Sequence, residues 1–125
     1  MILIGTSGYN YPEWKGSFYP ADLPTAKMLP YYADRFATVE INSTFYRMPT
    51  PKTTAAWLKQ APEGFTYALK APQGITHHRR LKDCQDTLAF FCDSARGLGA
   101  HQGPLLFQLP PNLKCDVARL AAFLA

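Results

Sequence analysis

Glu40 and Asn42 stand at alternate positions of the stretch Thr38–Pro49, with Val39 and Ile41 interleaved. Alternate side chains of a strand share a face, so a carboxylate and an amide point one way and two aliphatic chains the other. A polar pair on one face of a buried strand needs partners or a ligand. Lys70 closes a second alternating stretch, and His77 lies in the loop beyond it. These types suit proton transfer by the carboxylate, with the lysine and histidine holding an anion or a carbonyl oxygen. A phosphate at His77 would gain from the helix N-terminus that follows. Glu40, Lys70 and His77 are thus the candidate catalytic groups, and Asn42, Tyr46, Gln108, Trp14 and Ser7 the candidate substrate-binding groups. A competing reading makes Glu40 and Lys70 an ion pair filling a polar interior, where removal of one partner costs about 3–5 kcal/mol.

Adjacent histidines on an extended segment diverge, so His77 and His78 are not expected to share a metal, and no metal site is assigned. There is no glycine-rich phosphate loop, nucleophile elbow or paired-cysteine spacing, and the cofactor stays unknown.

Four strands can position these groups. Ile2 to Gly5 reads as the first, closed by Thr6-Ser7-Gly8, and Thr38 to about Thr44 as the second. Phe65 to Ala71 is the third, with Phe65, Tyr67 and Leu69 alternating against Thr66, Ala68 and Lys70. Leu105 to Leu109 is the fourth, halted by Pro110-Pro111. Between them, helical spacing is expected from Thr25 to about Phe36, from Thr53 or Thr54 to Pro62, and from Leu81 to about Leu98. A last helix, Val117 to Leu124, has Asp116 as its cap. Regular strand–helix alternation implies an α/β fold of four successive β/α units on a parallel sheet. Ligands of such sheets gather beyond the carboxyl ends of the strands, where Ser7, Asn42, Lys70 and Gln108 fall.

The loop from Tyr9 to Pro20 carries Tyr11, Trp14, Phe18 and Tyr19. These rings either plug one end of the core or form a stacking wall for a ligand.

The chain has 125 residues, 47% hydrophobic, which is enough for one core and is treated as a single domain, 1–125. Its net charge of +4 fits a small anionic ligand and also allows a nucleic-acid or nucleotide partner, through Arg79, Arg80 and Lys82. No stretch approaches the roughly 20 apolar residues of a membrane span, so no membrane partner is expected. Cys84, Cys92 and Cys115 form no even disulfide set, and reduced thiols in a cytoplasmic protein are expected.

The motifs Gly5-Thr6-Ser7-Gly8-Tyr9, Tyr11-Pro12-Glu13-Trp14 and Gly16-Ser17-Phe18-Tyr19-Pro20 occur in order along the chain. They are followed by Val39-Glu40-Ile41-Asn42-Ser43-Thr44-Phe45-Tyr46, Lys70-Ala71-Pro72 with Ile75-Thr76-His77, and Phe107-Gln108-Leu109-Pro110-Pro111. On these the chain resembles the YecE-like family (domain of unknown function 72), with Tyr9 where tryptophan is common. The resemblance implies a TIM-barrel-like fold but supplies no reaction. A complete (β/α)8 barrel takes about 250 residues, so the resemblance covers an amino-terminal half-barrel. A truncated or fragmentary reading frame is the first expectation, with an inactive fragment as one outcome; a second half-barrel supplied by another chain, or a homodimer closing a pseudo-barrel, are the others.

Overall fold

The alternation in the second and third strands is realised as read. In the computed structural model, which describes all of Met1–Ala125, β2 is Thr38–Ile41 and β3 is Thr66–Lys70. Val39, Ile41, Tyr67 and Leu69 are buried beneath helices, while Glu40, Ala68 and Lys70 occupy the other face. With β1 (Gly5–Ser7) and β4 (Gln102–Leu106) they form one four-stranded parallel sheet in chain order, β1-β2-β3-β4.

The helices are α1 (Met28–Ala33), α2 (Ser43–Tyr46), α3 (Pro51–Gln60), α4 (Gln85–Arg96) and α5 (Val117–Leu124). The core lies between α1, α3, α4 and the helix-facing side of the sheet, built on Tyr32, Val39, Tyr67, Leu69, Phe91 and Leu98. Asp116 caps α5 as expected, accepting from the Arg119 N–H at 3.0 Å. Thr50 caps α3, accepting from the Thr53 N–H at 3.2 Å, so this helix starts earlier than its apolar pattern suggests. None of these helices is long and apolar enough to cross a membrane.

Three boundaries move from where apolar runs put them. β1 begins at Gly5 because its partner begins at Thr38, level with it, and Ile2–Ile4 have no strand alongside to take their backbone groups. β4 starts three residues early because Gln102 pairs opposite Tyr67, and it carries Pro104, which an edge strand tolerates. α4 begins at Gln85 and not Leu81, because Arg80, Leu81 and Asp83 all take positive φ (50°, 67° and 48°) and interrupt the helix.

Gly5 permits the close approach of β1 to β2. A Cβ there would lie 2.1 Å from the Thr38 carbonyl oxygen, a backbone atom that cannot swing aside. Gly5→Ala is expected to cost roughly 1–3 kcal/mol, as for other overpacked sites. A urea midpoint equal to that of the parent would contradict this.

Candidate functional site

The strand ends on the concave side collect the polar groups. Ser7, Glu40 and Ala68 lie level across β1, β2 and β3, and Lys70 lies level with Leu106 of β4. Asn42 follows Ile41, the partner of Leu69, and so falls level with Lys70.

β2 ends at Ile41, not near Thr44 as the apolar run suggested, and the chain turns at once into α2. Asn42 therefore has helical dihedrals (φ −92°, ψ −22°). Its Nδ2 donates to the Ser7 hydroxyl at 2.7 Å, tying the tips of β1 and β2 together. Its Oδ1 is buried without a partner. Turning the amide over only exchanges which end is orphaned, since the Ser7 hydroxyl can donate or accept.

Thr44 fastens α2 to the next strand. Its buried hydroxyl lies 2.6 Å from the Lys70 carbonyl oxygen and 3.1 Å from that of Ile41. The anchor brings Phe45 between Lys70 and His77. Lys70 Nζ sits 5.2 Å from the Phe45 ring centroid. The His77 ring meets Phe45 edge-on at 4.9 Å. His77 lies in a single π-helical turn, Gly74–His78, with Nδ1 2.8 Å from the buried Thr76 hydroxyl, so Nε2 is left to face other groups. Such turns recur at functional sites.

The Glu40–Lys70 ion pair of the competing reading does not form. The two ion pairs of the chain are Arg96–Asp93 and Arg119–Asp116. Diagonal neighbours on adjacent strands are about 7–8 Å apart, within reach of a long side chain. Lys70 nonetheless turns toward Phe45, because α2 supplies a ring at the strand tip. The Glu40 carboxylate, half-buried, makes no hydrogen bond or ion pair with the protein.

The other candidates stand further off. Tyr46 is 76% exposed and touches the edge of Phe45 at 5.0 Å. Gln108 lies two residues past β4, exposed and unbonded. Trp14 is not brought to the strand tips. It packs on Tyr11 (4.7 Å), Phe18 (5.7 Å) and Tyr19 (5.8 Å), and with Thr6 and Phe36 it lines a hollow on the helix side of β1. The Tyr19 hydroxyl, inside this cluster, donates to the Tyr9 carbonyl at 2.5 Å. These rings pack against one another.

Phe45 was the residue that sequence reasoning missed. The signal was Asn42-Ser43-Thr44, three residues that favour helix starts, directly after the last apolar position of β2. Beside the Ser7–Asn42 bond is a hollow of about 230 Å³ lined by Tyr9, Tyr11, Asn42 and Trp57. A larger hollow, about 810 Å³, lies between α4 and α5 against Leu88, Cys92 and Phe123, away from the strand-end polar groups. No three His, Cys, Asp or Glu side chains converge anywhere in the fold.

The family model described as "Protein of unknown function DUF72" matches residues 3–125. The "UPF0759 protein YunF" of Bacillus subtilis is 31% identical over 127 residues, covering 97% of this chain and 44% of that protein. The "UPF0759 protein YecE" of Escherichia coli K12 is 30% identical over 110 residues, covering 88% and 38%. Among solved structures, a DUF72 family protein from Thermotoga maritima superposes with a TM-score of 0.82 at 27% identity, over 98% of this chain and 52% of that one. A second, from Enterococcus faecalis, gives 0.65 at 24% identity, over 78% and 42%, and bears on the fold alone. The chain spans less than half the length of the curated relatives it matches.

Proposed function

This chain belongs to the DUF72 family, whose description assigns no reaction, and from that premise we propose that the strand-end cluster binds a small anionic molecule. Lys70 and Nε2 of His77 hold the anion, Asn42 and Ser7 orient a polar group beside it, and Tyr46 and Gln108 reach the ligand from the rim. Glu40 serves as base or anchor for a proton-bearing group of the same ligand.

One observation carries this reading: Lys70 and Glu40 share a face within reach of each other, yet neither is paired. The contact of Lys70 with Phe45 contributes about 0.5–1 kcal/mol at a partly exposed site. A hydrogen bond to a charged group contributes about 1.5–3 kcal/mol. An arriving anion therefore outcompetes the ring, and the ammonium can turn to it at little cost.

Titration with inorganic phosphate, followed by thermal shift and by amide chemical shifts, tests the assignment. The parent chain is expected to bind it, and Lys70→Met is expected to bind about 10–100-fold more weakly, the equivalent of that charged hydrogen bond. Glu40→Gln removes a nearby negative charge and is expected to bind at least as well as the parent. Equal stabilisation of Lys70→Met and the parent by phosphate would remove Lys70 from the site.

A further inference from the structure

The loop after β1, the β2–α2 turn and α3 together form the hollow of about 230 Å³ beside the Ser7–Asn42 bond. Its walls are residues 8–11, residues 41–43 and Trp57, and none of them carries a charge. A charged guest would lose water there and find no counter-charge, so the occupant is neutral. Pockets for drug-sized molecules run to about 300–1,000 Å³. This one lies just below that range, which suits a molecule of one ring.

The walls are held in place before anything binds. The Gly8 N–H donates to the Glu40 carbonyl at 2.8 Å, and the Tyr11 hydroxyl donates to the Ser7 carbonyl at 2.5 Å. Gly8 takes φ +80°, and a Cβ there would lie 2.6 Å from the Tyr11 hydroxyl, so this close turn needs glycine. Trp57 stacks on Tyr67 at 5.7 Å, and its carbonyl accepts from the Tyr67 hydroxyl at 2.7 Å. A site fixed in advance loses little further freedom on binding.

Asn42 supplies the unmet demand. It lines the hollow, and its Oδ1 is buried without a hydrogen bond. Turning that oxygen to a donor placed in the hollow relieves the penalty of leaving it orphaned.

We propose that the hollow is a binding site for a single neutral sugar ring. The C–H faces of such a ring lie against the electron-rich faces of Tyr9, Tyr11 and Trp57. Each sugar hydroxyl both donates and accepts, so one can donate to Asn42 Oδ1 while others meet Asn10 and Ser43, both exposed at the mouth. A purely apolar guest would leave Oδ1 orphaned. Neither Lys70 nor His77 lines the hollow, so this site stands or falls apart from the anion site.

Titration of isotope-labelled protein with D-glucose, D-galactose and D-ribose, followed through the Trp57 indole N–H and the Asn42 side-chain amide, tests the assignment. Saturable shifts of both signals with at least one sugar, in the millimolar range, are the expected result. Asn42→Ala is expected to weaken that binding about five- to tenfold, the equivalent of one hydrogen bond. Ser43→Tyr, at an exposed position of the lining, is expected to abolish it with unchanged far-UV circular dichroism. Three sugars that leave both signals in place overturn the proposal, and the orphaned oxygen then meets water alone. Uracil binding there more tightly than every sugar overturns it too, because a flat heterocycle is then the better fit. Sugar binding that survives both substitutions places the sugar elsewhere and overturns it as well.

Discussion

Replacing Tyr32 with alanine is expected to lower the unfolding free energy by about 3–5 kcal/mol, the cost of deleting a fully buried aromatic ring. Tyr32 has no exposed surface, stacks on Phe36 at 5.0 Å and meets Phe65 edge-on at 6.4 Å. The loss is comparable to the whole stability of many small domains. Tyr32→Phe separates the ring from its hydroxyl. That hydroxyl accepts from the Thr6 N–H at 2.7 Å and donates to the Thr38 carbonyl at 2.9 Å, bridging β1 and β2 where their pairing starts. Removing it orphans both backbone groups, for an expected loss of about 1–3 kcal/mol. Urea denaturation of the two variants reads both quantities. A Tyr32→Phe protein as stable as the parent would show that the hydroxyl does not fasten the strands.

Raising the pH above 10 is expected to unfold the protein over a narrow range. Burial pushes the Tyr19 hydroxyl up to about 12, with Tyr32 and Tyr9 adding smaller contributions. Burial likewise raises Tyr67, with a further contribution from Tyr9, and raises Tyr9 itself. The Tyr67 hydroxyl is also committed as a donor to the Trp57 carbonyl at 2.7 Å, a bond lost on ionisation. A phenol whose folded-state value is raised contributes its full stability below the unfolded value of about 10. That contribution is lost as the pH climbs toward the folded value, because the unfolded chain releases the proton first. For Tyr19 the window runs from about 10 to about 12. Each such tyrosine removes about 1.4 kcal/mol of stability per pH unit inside its window. Ionisation followed at 295 nm should coincide with loss of far-UV signal. Titration of all tyrosines near pH 10 with the fold intact would refute the assignment.

The parts legible in the sequence were those governed by periodicity. Val39 and Ile41 against Glu40 and Asn42 gave the facing of β2, and the same alternation from Phe65 to Lys70 gave β3. The ends of β1 and β4 were not legible, because strand boundaries depend on where a partner lies. Ile2–Ile4 is strongly apolar and still unpaired, whereas Gln102-Gly103-Pro104 is a poor strand sequence and still paired. The site was legible as residues at strand tips and illegible as contacts. Register brought Glu40 and Lys70 within reach, but the turn at Asn42 put Phe45 beside the ammonium, and one ring displaced one ion pair. The left-handed run at Arg80, Leu81 and Asp83 gave no signal, since none of these residues is glycine.

Strand order that follows chain order also bears on how the molecule is made. Gly5 lies 33 residues before its partner Thr38, Thr38 lies 28 before Thr66, and Tyr67 lies 35 before Gln102. At a synthesis rate of about 5–20 residues per second, each new strand follows its neighbour by about 1–7 seconds. No ladder waits for a distant segment, so the sheet can extend one strand at a time as the polypeptide emerges. The most recent strand is always the growing edge.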